Sequence, residues 1–247
     1  MESLIFEHPL NEKVRSYLRL EYLAQQLAHC IHSDQQHHGF YPLFALCEMT
    51  DRCDFKSEIL KDLDKQIMVL NKWQELPQAD TQQINALKAR LNQAKEPLQQ
   101  PERIGIALKQ DKFICALKQK FAMLGACCNF DLPQLHCWLA KPWVNRQQDL
   151  STWLAHFHAL LEPVCLLLEL SRSTAEFVPA TAQAGFYQQD CNQILSFVRV
   201  KLPTDSQCYP TISGHRNRFA IHFVDFEQQK HSDKSIQFML ATCSSNH

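Results

Sequence analysis

The stretch from Tyr209 to Phe226 reads Tyr-Pro-Thr-Ile-Ser-Gly-His-Arg-Asn-Arg and then Phe-Ala-Ile-His-Phe-Val-Asp-Phe. Pro210, Ser213 and Gly214 spell a turn. Beyond it Phe219, Ile221 and Phe223 alternate with smaller or polar residues, the period-two signature of a strand with one buried face. Neighbouring side chains on a strand point to opposite faces, so Arg216, Arg218, Ala220 and His222 are expected in one row on the other side. A planar guanidinium fork suits carboxylates and phosphates. The row therefore reads either as a solvated outer face or as an anion-binding face for an acidic partner.

The same period extends around this stretch. Residues 177–182, 185–189, 194–202, 218–226 and 235–242 read as strands. Val198, Val200 and Leu202 share one face, with Phe197, Arg199 and Lys201 on the other. At the other end of the chain, residues 4–8 are strand-like up to Pro9, and 4–6 are a candidate to pair in the same sheet. Between these ends the period is three to four. Asn11 is placed to cap a helix with Val14, Tyr17, Leu20, Ala24, Leu27 and Ile31 on its core face. A short helix is expected over 41–49. Asp54 is placed to cap a long helix with stripe residues Leu63, Ile67 and Leu70. Asp80 with Gln83 resembles a capping box, ahead of Ile84, Leu87, Leu91, Ala94 and Leu98. Two such helices joined by a few residues predict an antiparallel hairpin. Residues 103–121 read as one basic helix with Lys109 and Lys112 on a common face, and Asp131 as the cap of a helix with Pro133 in its first turn. The run 153–170 reads as a core helix. The period changes near Glu176, which predicts an α+β fold. Its helical domain would span 9–175. A mainly antiparallel β-strand domain would span 1–8 and 176–247, with the N-terminal strand joining the sheet.

A chain of 247 residues buries a core large enough for one or two domains. Five glycines are few for a nucleotide-binding βαβ fold, and a net charge of −1 gives no global field to gather nucleic acid or membrane. Electrostatic recognition must then be local. Residues 191–224 carry Arg199, Lys201, Arg216 and Arg218 against Asp205, and residues 103–120 carry Arg103, Lys109, Lys112, Lys118 and Lys120 against Asp111. The N-terminus lacks the basic and apolar regions of a signal peptide. The richest apolar run, 159–170, is interrupted by Glu162, Pro163 and Glu169, so it reads as a buried helix and not as a membrane span.

The eleven cysteines form no paired C-x-x-C sets and are expected as buried thiols in a reducing cytosol. Adjacent Cys127 and Cys128 fall under the same reading, because a vicinal disulfide is strained. Cys30, His32, His37 and His38 match no zinc spacing and read as a polar loop. Cys137 or Cys128 beside His136 suggests a thiol nucleophile, yet no orienting Asp or Asn and no oxyanion loop accompanies it. No catalytic group, metal or cofactor is therefore expected.

Several segments together resemble the ZapD family of cell-division proteins. They are Phe6-Glu7-His8-Pro9-Leu10-Asn11-Glu12-Lys13, Cys127-Cys128-Asn129-Phe130-Asp131-Leu132-Pro133, Gly185-Phe186-Tyr187-Gln188, Tyr209 to His215, and Arg218-Phe219-Ala220-Ile221. They occur in the family's order over nearly the whole chain. The resemblance implies a non-enzymatic, cytoplasmic homodimer at the mid-cell division site. It implies binding to the C-terminal tail of FtsZ through a basic surface and cross-linking of FtsZ filaments, with no direct membrane insertion. On the family's pattern, Arg19, Arg52, Lys56, Lys112, His136 and Arg218 fall on the tail-binding surface; Lys109 and Arg216 are added from the local charge runs. His222 stands where a relative carries arginine, which weakens the charge there at neutral pH, since free imidazole titrates near 6.5. The alternative from the residues alone is a single-stranded nucleic-acid-binding sheet using Phe197, Arg199, Lys201, Arg216 and Arg218. The net charge and the lack of an aromatic RNP-type signature count against it.

Overall fold

The structure is a computed structural model that describes residues 3–123, 125 and 127–244. Met1, Glu2 and residues 245–247 of the expected β-strand domain lie outside the described residues, as do Leu124 and Ala126. The chain divides into two compact units, Met1–Leu18 with Leu167–His247, and Arg19–Leu166. Its elements run from helices to antiparallel strands, as the change of period predicts.

In the first unit, β1 (Ser3–Pro9) pairs with β4 (Leu195–Pro203), β4 with β7 (Ile236–Ser244), and β7 with β2 (Val178–Ala182), all antiparallel. The N-terminal strand thus joins a sheet, with Leu4 opposite Leu202 and Phe6 opposite Val200. A second antiparallel sheet has the order β3 (Phe186–Asp190), β6 (Arg218–Asp225), β5 (Cys208–His215). A sheet with one apolar face needs a second layer to cover it. Here Val198, Val200 and Leu202 of the first sheet share one core with Phe219, Ile221 and Phe223 of the second, joined by Leu10, Phe238 and Leu240. The alternation expected in β6 is present, because Phe219, Ile221 and Phe223 are buried while Arg218, Ala220 and His222 are not.

The turn expected around Pro210 and Gly214 is instead strand β5. Pro210 is tolerated because β5 pairs on one side only, and an edge strand has no second ladder to lose. Gly214 marks a close approach of chains. A Cβ there would lie 2.7 Å from the Arg218 carbonyl, from a Leu10 methyl and from the Phe219 Cβ. The reversal falls two residues later, at Arg216 and Asn217 between β5 and β6. Arg216 takes a positive φ of 57° there, as two-residue hairpin turns demand at their first position.

In the second unit most of α1 (Glu12–His32) is followed by α2 (Phe40–Arg52), α3 (Phe55–Gln74) and α4 (Thr81–Lys95). Three of the four expected caps are present. Asn11 Oδ1 accepts from Val14 N at 2.8 Å, Asp54 from Lys56 N at 3.2 Å and Asp80 from Gln83 N at 3.0 Å. Helices α3 and α4 form the predicted antiparallel hairpin. Lys88 reaches Gln74 near its turn, and Lys95 pairs with Asp64 further down. The basic helix expected over 103–121 is two helices, α5 (Ile106–Gln110) and α6 (Lys112–Phe121). Asp111 breaks it, accepting from Phe113 N at 2.8 Å and Ile114 N at 3.0 Å to start α6. Lys109 and Lys112 therefore belong to different helices. Helix α7 (Pro133–Leu139) starts behind Leu132 with no side-chain cap. Asp131 stands one residue too early to cap it, and its carboxylate accepts from Cys128 Sγ at 3.1 Å instead. The apolar run 153–170 is also divided, between α8 (Trp143–Ala155) and α9 (His158–Ser173).

The core of this unit is built on rings. Phe40, fully buried, has Trp138 at 5.0 Å, Phe121 and Trp153 at 5.6 Å, Phe44 at 5.7 Å and Phe113 at 6.2 Å between centroids. Beside the rings Arg146 is only 7% exposed. Its guanidinium grips both carboxylate oxygens of Asp34, donates to the Lys141 carbonyl at 3.1 Å, and lies over Trp138 and Trp143. Among the described residues no single helix is long and apolar enough to cross a membrane.

Candidate partner-binding site

Strand β6 and its neighbours set the outer face of the second sheet. Arg218 lies opposite Asp190 of β3 and His215 of β5, and His222 lies opposite Phe186 and Thr211. Arg218 is exposed and meets Asp190 at 3.3 Å, with both side chains more than 60% accessible. An exposed pair of this kind contributes at most about 1 kcal/mol and exchanges easily for another carboxylate. The His222 ring packs on Phe186 at 4.7 Å and on His231 at 4.8 Å. The expected row is incomplete: Arg216 is exposed but sits in the hairpin turn, beyond the strand.

The nucleic-acid alternative needs Phe197, Arg199, Lys201, Arg216 and Arg218 on one face, and the fold separates them. Phe197, Arg199 and Lys201 are on β4 of the first sheet, whereas Arg218 is on β6 of the second. Phe197 is fully buried and offers no stacking surface. Arg199 is bound to Glu7 at 2.9 Å and, like Lys201, lies over the Phe177 ring.

In the helical unit the expected cations are in three states. Arg19 and Lys112 are exposed, and no ion pair is described for either. His136, in α7, is exposed as well. Arg52 is paired with Glu48 one turn earlier on α2, and Lys109 with Asp51 at 2.6 Å. Lys56 is turned inward, donating to the carbonyls of Gln100 and Glu102 and tying the start of α3 to the segment before α5. Arg52, Lys56 and Lys109 nevertheless line one cleft of about 320 Å³. Sequence reasoning left out Arg103, which lines the same cleft. Its place in the basic run over 103–120 was the available signal. What spacing does not give is the left-handed Gly105, at φ 73°, which turns the chain into α5 right after Arg103 and Ile104.

The thiols vary more than expected. All eleven cysteines are thiols outside any disulfide, but Cys53 and Cys137 are exposed and the adjacent Cys127 and Cys128 are half-buried. The two thiols expected to be buried there are therefore only partly covered. Burial raises the Cys47 thiol to about 11 and the Cys243 thiol to about 12. The thiolate is the reactive form. An alkylating reagent at pH 8 is expected to label Cys53 and Cys137 in the native protein, and Cys47 and Cys243 only in denaturant. Mass spectrometry showing native Cys243 modified as fast as Cys53 contradicts this. Among the described residues no group of three or more His, Cys, Asp or Glu is placed to hold a metal ion.

The ZapD model, described as a cell division protein, matches residues 18–222. Cell division protein ZapD of Shewanella oneidensis is 60% identical over 99% of this chain and its own full length. Those of Shewanella baltica and Photobacterium profundum are 61% and 41% identical over 99% and 98% of the chain, again over their full length. The chain, with its paired sheets and its helical unit carrying outward-facing cations, belongs to the ZapD family of cell division proteins.

Proposed function

We propose that this protein is a non-enzymatic adaptor that binds the C-terminal tail of FtsZ and, as a homodimer, bundles FtsZ filaments at mid-cell. The observation that supports this best is the set of exposed cations without a firm partner among the described residues. Arg19 and Lys112 have no described ion pair, and the ion pair described for Arg218 is with an exposed aspartate. Such side chains are free to meet the carboxylates of an acidic tail, and His136 of the helical unit and Arg216 and His222 of the β-strand unit are further candidates. Arg52, Lys56 and Lys109 belong to the reading through the cleft they line. A twofold dimer supplies two equal sites, and two sites are the least that join two filaments.

The test is co-sedimentation with polymerised FtsZ, with and without its C-terminal tail. Pelleting and bundling are expected only with the tail, and bundles are expected to dissolve at high salt because exposed charge contacts are screened. Light scattering should give about twice the 28.7 kDa chain mass. Equal pelleting with tail-less filaments contradicts the proposal.

Arg218→Glu is expected to weaken tail binding about tenfold, about 1.4 kcal/mol. Circular dichroism should stay unchanged, since the side chain leaves no core contact behind. Parental affinity in this variant removes Arg218 from the site. His222→Gln separates the remaining contribution. The variant is expected to bind the tail less tightly than the parent but more tightly than Arg218→Glu does, and parental affinity in it removes His222 from the site.

A further inference from the structure

We infer that the cleft formed by residues 50–56, residues 101–109 and Leu160 seats a carboxylate, together with the apolar side chain beside it, from an extended acidic segment, and that Arg103 is its specificity-determining contact. The inference rests on the tail-binding reading and says where in the helical unit one part of the tail goes.

Four cations line the cleft: Arg52, Lys56, Arg103 and Lys109. Three are engaged. Arg52 holds Glu48, Lys56 holds two main-chain carbonyls, and Lys109 holds Asp51. Arg103 is exposed, and no hydrogen bond or ion pair of its guanidinium is described. The two acids of the lining are engaged too. Asp51 is shared by Lys109 and, at 3.7 Å, by Lys118, while Asp54 accepts from the Lys56 amide at the start of α3. The open charge of the cleft is thus the Arg103 fork, which matches a carboxylate with two parallel N–H donors.

Apolar residues form part of the floor among the charged ones. Phe55 and Leu160 are buried and Ile104 is half-buried, with Pro101 at the rim. One unpaired guanidinium over such a floor suits an acidic residue with an apolar neighbour. A phosphate would call for several free donors around it, and the other donors here are already used. A cleft of about 320 Å³ has room for a short extended segment and not for a folded element. Cys53, an exposed thiol, lines the same cleft and reports its occupancy.

The probe is a fluorescent peptide of the FtsZ C-terminal tail, read by anisotropy on the full chain. Arg103→Ala is expected to raise Kd about fivefold or more with unchanged circular dichroism, since an exposed, unpaired side chain leaves no cavity. Arg103→Lys should recover only part of the loss, because the fork is gone. Saturating peptide should slow alkylation of Cys53 while Cys137, outside the cleft, reacts at its free rate. Parental affinity in Arg103→Ala overturns the inference, as does unchanged Cys53 alkylation at saturating peptide; both leave the tail-binding reading standing. A peptide that fails to bind the parent chain overturns that reading, and the cleft with it.

Discussion

Glu7→Ala is expected to lower the unfolding free energy by about 3 kcal/mol, the low end for removing one partner of a buried charge pair, since these side chains are mostly but not fully covered. Glu7 lies on β1 directly opposite Arg199 of β4 and accepts from its Nε at 2.9 Å. It also receives Arg172 of α9 on both oxygens, at 2.9 and 2.7 Å. The three side chains are 19%, 14% and 22% exposed, so water replaces little of what the carboxylate supplies. Without it two guanidiniums face each other across a covered space. The neighbouring Cys243 cannot substitute as an anion, because burial holds its thiol near 12. Glu7→Gln keeps an acceptor and should lose less. Asp190→Ala, which breaks the exposed Arg218 pair, should cost less than about 1 kcal/mol. Urea unfolding of the three variants gives the order, and a Glu7→Ala loss no larger than that of Asp190→Ala contradicts the account.

What was legible in the sequence was local. The caps at Asn11, Asp54 and Asp80 depend on residues two or three positions away, and all three form. The alternation of Phe219, Ile221 and Phe223 encodes a buried face wherever the second sheet lies. Strand β5 was hidden because Pro210 and Gly214 are turn residues by local statistics. The edge position that tolerates one, and the close approach that needs the other, are set by distant chain. The break at Asp111 was legible in principle, since aspartate favours caps over helix interiors, but the lysines around it gave the run one periodic look. At the candidate site, exposure followed from the pattern and pairing did not. Lys56 spends its ammonium on a carbonyl 44 residues later, a contact that no spacing announces. Arg103 was passed over for the same reason in reverse, as its lack of a partner among the described residues is a property of the fold.

Asp34→Ala is the second large effect expected, on the order of 2–4 kcal/mol at neutral pH. Asp34 follows α1 and is 40% exposed, but its partner Arg146 is only 8% exposed at the side chain. Removing the carboxylate strands that guanidinium against Trp138 and Trp143, with the Lys141 carbonyl as a remaining acceptor. The hydrogen bonds from Arg146, offset in part by burial, hold the Asp34 carboxyl below its ordinary value of 3.8. A carboxyl whose folded pKa is depressed stabilises the fold fully above its unfolded pKa and loses that contribution as pH falls through the folded one. The gap between parent and variant should therefore be level from about pH 7 to 5 and close below about pH 4. Arg146→Met combined with Asp34→Ala removes both charges and keeps an apolar side chain over the rings, so it should recover part of the loss. A gap that stays constant down to pH 3 contradicts this account, because both the Arg146 contacts and the Gln36 N–H bond act on the ionised Asp34 carboxylate.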